Sequence, residues 1–62
     1  MDNKIKKLRK EKKITQDGLA KKCGVSRQTI NMIENNKYDP TLKLALALGR
    51  VLQEPIESLF IE

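Results

Sequence analysis

Two hydroxyl side chains eleven residues apart, with a glycine between them, constrain the fold of this chain more than any other feature. Thr15 and Ser26 each precede a run with apolar side chains at helical spacing, and such residues are preferred at the N-cap of a helix. Gly24 follows the first run, at the position where a left-handed residue turns the chain sharply. The pattern predicts two short helices, one ending near residue 22 and one over about 27–35, joined by a tight turn.

Three further helices follow from apolar spacing and turn residues. The first covers about 3–12, the fourth covers about 41–52, and a short fifth begins with Pro55 at N1, where the missing N–H is harmless. No run of alternating β-branched residues predicts a strand, with the exception of Phe60-Ile61 at the chain end. The predicted fold class is therefore all-α, with five helices in a single domain formed by all 62 residues.

Charge is distributed unevenly along the chain. Thirteen Lys and Arg against eight Asp and Glu give a net charge of +5. The first thirteen residues hold seven basic and two acidic side chains, whereas the last nine hold three glutamates and no base. This basic region favours a polyanionic partner, although a lysine-rich face exposed to solvent explains the same run.

The residue types present argue against several classes of function. Histidine is absent and Cys23 is the only cysteine, so the chain offers no zinc-ligand spacing, disulfide or Cys/His nucleophile pair. We expect no enzymatic activity, no metal or other cofactor and no small-molecule ligand, and we interpret Cys23 as a core residue near the turn. No segment approaches the roughly 18 apolar residues of a membrane span, so we expect a cytoplasmic protein without a membrane partner.

The helix that follows Ser26 has two chemically different faces. Advancing about 100° per residue places Ile30 and Ile33 on one side. Arginine can form two bonds to guanine, glutamine or asparagine can pair with adenine, and an apolar tip can touch a thymine methyl. Phosphates would repel a carboxylate, and none lies within the arc opposite the isoleucines. The arc is typical of a helix-turn-helix that reads the major groove, and its base-reading candidates are Arg27, Gln28, Asn31 and Met32.

At these positions the chain resembles the lambda-repressor-like helix-turn-helix family, also called XRE/Cro-type. The resemblance covers essentially the whole chain and depends on three linked motifs, which are T-Q-x-x-L-A from Thr15, G-V-S-x-x-T-I from Gly24 and I-E-N-x-K from Ile33. It implies a five-helix fold in which helices 2 and 3, over about 15–35, form the helix-turn-helix. The departures are Gly18 for a capping acid, Cys23 for a common Leu and Asn36 for a common Gly, and Asn36 must accept a positive φ.

The resemblance also implies roles for individual residues. Arg27, Gln28 and Met32 match base-reading positions, and Asn31 lies on the same arc. Arg9 and Glu34 match a pair that commonly bridges the first and third helices, which would contribute about 0–1 kcal/mol if exposed. The predicted phosphate contacts are Gln16, Ser26, Asn35 and Lys37 from the resemblance, with Tyr38 and Lys6 added.

The fourth helix has more apolar surface than one core requires. Its apolar arc is far wider than the roughly 100° stripe of a core-facing surface helix. Four of its residues suffice for the core, namely Leu42, Ala45, Gly49 and Leu52. The remainder, together with the chain end, predicts a twofold homodimer surface in the segment of about 44–62. The predicted dimer residues are Leu44, Ala47, Leu48, Val51, Leu59, Phe60 and Ile61.

These features together predict a sequence-specific regulator of transcription that binds double-stranded DNA. We expect a homodimeric repressor on a near-palindromic operator, nucleoid-associated and prokaryotic or phage in origin, because two reading helices one DNA turn apart double the base contacts. An alternative from another class is an antitoxin-like interaction module whose C-terminal apolar surface binds a partner protein. A cationic membrane-surface helix over residues 1–13 is disfavoured, since Ile5 and Leu8 offer too little apolar area.

Overall fold

Five α-helices and one two-stranded ribbon make up the structure, a computed structural model that describes residues 2–61. The predicted helices are confirmed with ends shifted by one or two residues, and Pro55 is the N-cap of the last helix instead of its first residue. The longest helix has eleven residues, and none of those described is long and apolar enough to cross a membrane. In chain order the elements are β1 (Asp2–Asn3), α1 (Ile5–Glu11), α2 (Gln16–Cys23), α3 (Arg27–Glu34), α4 (Leu42–Leu52), α5 (Ile56–Leu59) and β2 (Phe60–Ile61).

Side-chain caps begin three of the helices. Thr15, Ser26 and Thr41 each accept a hydrogen bond from the backbone N–H three residues later, at 2.9, 3.1 and 3.2 Å. These bonds satisfy backbone donors that the first turn of a helix leaves without partners. Gly24 ends α2 in the left-handed conformation, with a φ of 74°. The chain therefore turns from α2 into α3 as the sequence predicts.

A short antiparallel ribbon joins the two ends of the chain. Asp2 lies opposite Ile61 and Asn3 lies opposite Phe60. Just after β1, the backbone N–H of Lys4 donates to the carbonyl of Leu59 at 2.8 Å. The strand predicted at Phe60-Ile61 is confirmed, but the sequence prediction missed its partner. A two-residue strand is too short to show the alternation that identifies a strand in a sequence.

The core contains side chains from every helix. Ile5 of α1, Leu19 of α2, Ile30 and Ile33 of α3 and Leu59 of α5 are no more than 1% exposed. Cys23 is half-buried and packs against this cluster, in keeping with its interpretation as a residue near the turn. The isoleucine side of α3 is thus held against the body of the domain, which leaves the opposite side outward.

The prediction reversed two faces of α4. Leu44 and Leu48, assigned to a dimer surface, are 7% and 0% exposed and belong to the core. Leu42, assigned to the core, is 72% exposed, and Leu46 is 50% exposed. The reason is that α4 packs against both α2 and α5, so its buried side is wider than one stripe. A helical wheel cannot show which apolar edge is left uncovered.

Packing within one chain also decides the exposure of the other predicted dimer residues. Ala47 and Leu59 are buried within one chain, at 9% and 0% exposure, so the prediction was wrong for them as well. Val51 and Phe60 are half-buried and keep some surface, and the side chain of Ile61 lies outside what the structure describes. The core assignments of Ala45, Gly49 and Leu52 are correct.

Gly49 lies where the chain folds back at the end of α4. The N–H of Glu54 donates to the carbonyl of Gly49 at 3.0 Å, and a Cβ on Gly49 would lie 2.8 Å from the carbonyl oxygen of Glu54. We expect Gly49→Ala to lower the free energy of unfolding by about 1–3 kcal/mol, because backbone must move despite the better helix propensity of alanine. Urea denaturation followed by circular dichroism measures the change.

Gly18→Ala is the matched control, since it makes the same change inside another helix. A Cβ on Gly18 would approach only side-chain atoms, the nearest being Oγ1 of Thr15 at 3.1 Å. That contact also gives a partial reason for a glycine where a capping acid is common. If both alanine variants unfold at the same urea concentration, the close approach at Gly49 does not limit stability.

Candidate nucleic-acid interface

The outward side of α3 carries the predicted base-reading residues. Arg27, Gln28 and Asn31 are exposed, whereas Met32 is half-buried and presents only part of its side chain. The only carboxylate of α3, Glu34, has a side chain that is 1% exposed. The outward side of this helix therefore combines one cation with uncharged hydrogen-bonding groups.

The turn before α3 fixes where this helix begins. Oγ of Ser26 accepts the N–H of Thr29 at 3.1 Å and lies 2.9 Å from the Thr29 hydroxyl. The N–H of Val25 donates to the carbonyl of Ala20 at 3.0 Å, across the left-handed Gly24. These bonds tie the first turn of α3 to the end of α2. Arg27 and Gln28 are thus displayed at a defined position.

A buried polar network joins α1, α2 and α3. Arg9 and Glu34 form a two-bond ion pair, with Nε to Oε2 at 2.7 Å and Nη2 to Oε1 at 3.2 Å. Nη1 of Arg9 also donates to the carbonyl of Ile14 at 2.9 Å. The two charged side chains are 9% and 1% exposed, so the pair is buried and not the weak surface contact considered for an exposed pair.

Gln16 has a structural contact that the sequence did not indicate. Its Nε2 donates to Oε1 of Glu34 at 3.0 Å, which makes it the third member of the network. An amide nitrogen carries two hydrogens, so Gln16 can hold Glu34 and still donate to a phosphate. Its predicted phosphate contact therefore stays a prediction that the geometry permits.

The other predicted phosphate contacts lie mostly around the two ends of α3. Ser26 is the N-cap and Asn35 is the C-cap, and Lys37 and Tyr38 follow it; all four are exposed. Nδ2 of Asn35 donates to the backbone carbonyl and to Oδ1 of Asn31, at 2.9 and 3.3 Å. The structure thus links one predicted phosphate contact to one predicted base contact. Lys6, also exposed, lies apart from this group on α1.

A basic cleft beside the turn was missed by the sequence reasoning. It has a volume of about 550 Å³, lies between the end of α2 and the α4 side, and contains no carboxylate among its lining residues. Its cations are Lys22 of α2 and the pair Lys43 and Arg50, two turns apart on α4, and the fold brings these two helices together. Burial raises the pKa of the Cys23 thiol in this cleft, and the charge of Arg50 opposes the shift. The thiol is therefore protonated at neutral pH.

Two more residues outside the predicted set contact α3. Asn3 donates from Nδ2 to the carbonyl of Ile33 at 2.9 Å, and the backbone N–H of Asn36 donates to the same carbonyl at 3.1 Å. Asn36 has a φ of 60°, as predicted for a residue that stands where glycine is common. Within residues 2–61, no group of His, Cys, Asp and Glu side chains is arranged to hold a metal ion.

Two capped helices at a glycine turn, with a polar outward face on the second, define a helix-turn-helix DNA-binding domain. The sequence pattern of the helix-turn-helix family matches residues 5–59. An uncharacterized HTH-type transcriptional regulator of Methanocaldococcus jannaschii is 52% identical over 61 residues, which cover 98% of this chain and 92% of that protein. The chain belongs to the helix-turn-helix family, whose members of this lambda-repressor-like type are regulators of transcription and not enzymes.

Solved structures agree with this assignment. The chain is similar to the DNA-binding domain of the P22 c2 repressor, with a TM-score of 0.81 and 36% identity over 86% of this chain and 70% of that one. It is also similar to the N-terminal DNA-binding domain of SinR from Bacillus subtilis, with a TM-score of 0.83 and 32% identity over 94% and 86% of the two chains. The predicted lambda-repressor-like fold is confirmed.

Proposed function

We propose that this protein is a homodimeric repressor that binds a near-palindromic operator through α3. The observation that carries the proposal is the outward face of α3, where Arg27, Gln28 and Asn31 are exposed and no carboxylate is exposed with them. The P22 relative is a repressor by name, which supports the repressing role. Such a protein would act in the cytoplasm, on the nucleoid, where its operator lies.

Base reading and phosphate contact are assigned to different residues in this proposal. Arg27 can donate two bonds to guanine, and Gln28 and Asn31 can pair with adenine, so these side chains carry sequence choice. Lys37 carries only charge, so it attracts every sequence alike. The two groups can be separated by experiment.

Arg27→Ala and Lys37→Ala should weaken binding in two different ways. Selection from a random DNA pool first identifies the sequence that the wild-type protein prefers. Titrations against that sequence and its single-base variants then measure discrimination. We expect Arg27→Ala to lose about 1–3 kcal/mol of discrimination at one base position, whereas Lys37→Ala weakens all sequences by a similar factor. The assignment of roles is wrong if both variants change discrimination in the same way.

The dimer surface that we propose is the exposed apolar side of α4 and its neighbouring groove. Leu42 and Leu46 lie one helical turn apart and are 72% and 50% exposed. Leu42 also lines a groove of about 590 Å³, together with Asp39, Pro40, Ala45, Ile56, Glu57 and Phe60. Phe60 is the member of the predicted dimer surface that lines this groove, whereas Val51 lies about 180° around α4 from Leu42.

The charges around this surface favour a second copy of the chain as its occupant. The groove contains the carboxylates of Asp39 and Glu57, while Lys43 and Arg50 are exposed on the same helix as the leucines. A twofold arrangement can therefore set the acids of one copy against the bases of the other, around an apolar centre. Light scattering tests this choice, because a wild-type protein that stays monomeric would favour the alternative of a different partner protein.

A further inference from the structure

Three side chains tie the N-terminal strand to the end of α3, and we refer to them as the α3 clasp. They are Asp2, Asn3 and Asn36. Nδ2 of Asn3 donates to the carbonyl of Ile33 at 2.9 Å and to Oδ1 of Asn36 at 3.1 Å. Nδ2 of Asn36 donates to Oδ1 of Asp2 at 3.0 Å. Ile33 lies in the last turn of α3, and its carbonyl accepts the backbone N–H of Asn36 at 3.1 Å as well as the amide of Asn3. The clasp therefore adds a second donor to a carbonyl at the end of α3, where the helix itself supplies no i+4 partner.

The strand that carries Asn3 is itself held in place. Asn3 lies opposite Phe60 in the ribbon, and the next N–H, that of Lys4, donates to the carbonyl of Leu59 at 2.8 Å. Oδ1 of Asn3 accepts the N–H of Ile5 at 3.1 Å, at the start of α1. The side-chain amide of Asn3 thus contacts two helices, because its oxygen accepts from α1 and its nitrogen donates to α3.

The identity of residue 36 supports a specific role for its side chain. Asn36 has a φ of 60°, a conformation that glycine adopts without cost and that favours glycine over other residues. The backbone alone would therefore be satisfied by the glycine that is common in the resembling family. The side-chain amide of Asn36 adds two bonds to β1 that a glycine could not make.

We propose that Asn3 is a positioning residue for DNA recognition, which acts by fixing the C-terminal end of α3. This inference rests on the proposed function. α3 has eight residues and is about 12 Å long, so a shift at one end changes the reach of the side chains nearest to that end. Arg27 and Gln28 lie in the first turn, next to the cap that holds it. Asn31 and Met32 lie towards the end that the clasp holds, so their contacts depend on it most.

Two substitutions open the clasp in different ways. Asn3→Asp keeps an oxygen to accept the N–H of Ile5 but replaces the donor with an oxygen that faces the acceptors Ile33 O and Asn36 Oδ1. Asn36→Gly keeps the left-handed backbone and the bond between Oδ1 of Asn3 and the N–H of Ile5, and it removes the side chain that joins Asp2 and Asn3. Because the second variant retains every backbone contact of Asn3, it tests the clasp in a protein expected to fold.

The measurement is discrimination between the selected operator and each of its single-base variants. We expect both substitutions to reduce discrimination about five- to tenfold, the size expected for the loss of one or two hydrogen bonds, at the base positions that Asn31→Ala or Met32→Ala also relaxes. Positions relaxed by Arg27→Ala should keep their discrimination. The readout is a ratio between two DNAs, so the negative charge that Asn3→Asp adds affects both of them and cancels.

Lys12→Ala serves as the control, because it lowers the net charge by one, as Asn3→Asp does, and removes a long exposed bond of 3.5 Å to Gln53 that lies outside the clasp. It should leave every ratio unchanged. Equal discrimination in wild type and both clasp variants overturns this inference alone. A uniform loss at all base positions also overturns it, since a purely structural role would produce that result. A wild-type protein without sequence preference would instead refute the proposed function, so the two failures are distinguishable.

Discussion

Glu34→Gln is expected to remove about 3–5 kcal/mol from the free energy of unfolding, the usual cost of breaking a buried ion pair from one side. The substitution preserves the size of the side chain, removes its charge and replaces one of its two acceptor oxygens by an NH₂ group. The Arg9 guanidinium, 9% exposed in the pair, would then lie in the interior without a counter-ion. The donors of Arg9 and Gln16 would also compete, because a glutamine amide offers one oxygen where Nε and Nη2 of Arg9 and Nε2 of Gln16 now share two.

That loss is large for a domain of this size. Typical stabilities of about 0.05–0.15 kcal/mol per residue give about 3–9 kcal/mol for a chain of 62 residues, so a substantial part of the protein should be unfolded at room temperature. Urea denaturation of wild type and variant at the same pH measures the difference. The C-terminal end of α3 would lose its main tether to α1, so DNA binding should weaken together with stability.

Asp17→Asn is the matched control for Glu34→Gln. It removes the same charge from an ion pair, but the Asp17 and Lys21 side chains are 58% and 78% exposed at 3.2 Å from each other. Exposed pairs contribute at most about 1 kcal/mol, so the control should unfold close to wild type. Equal stability of the two variants would show that burial of the Arg9–Glu34 pair has no energetic consequence.

The features that the sequence predicted correctly depend on neighbouring residues. The turn between α2 and α3 follows from a cap at Ser26 and a left-handed Gly24, and each can be recognised from the residues beside it. The isoleucine side of α3 follows from helical spacing in the same way. The Arg9–Glu34 pair, 25 positions apart, came only from the family resemblance, and no local pattern indicated that it would be buried.

The features that the sequence did not predict depend on distant parts of the chain. Leu42 and Leu44 are both apolar and lie two positions apart in α4, but only the packing of α2 and α5 decides that the second is buried and the first exposed. The contact of Asn3 with Ile33 spans thirty positions and uses a strand of two residues. Both cases need the three-dimensional arrangement, because the individual residues are compatible with either outcome.

The double substitution Leu42→Gln and Leu46→Gln is expected to abolish the dimer and to lower affinity for a full operator by about 10²–10⁴-fold. That range is the gain obtained when one binding event makes the second intramolecular. Glutamine is close to leucine in size and carries no charge, so any loss of DNA affinity cannot come from repulsion by phosphates. The leucines are 72% and 50% exposed, so the free energy of unfolding should change by only about 0.5 kcal/mol.

Three measurements separate the possible outcomes of this substitution. Light scattering reports the oligomeric state, and titrations with a full operator and with a single half-site report affinity. Loss of full-site affinity with unchanged half-site affinity is expected, because each chain keeps its own α3. The double substitution to methionine is the control, since it keeps the surface apolar and should keep the dimer. The face around Leu42 and Leu46 is where large apolar side chains of α4 remain exposed. A glutamine variant that remains dimeric with full operator affinity would therefore place the twofold contact outside this face.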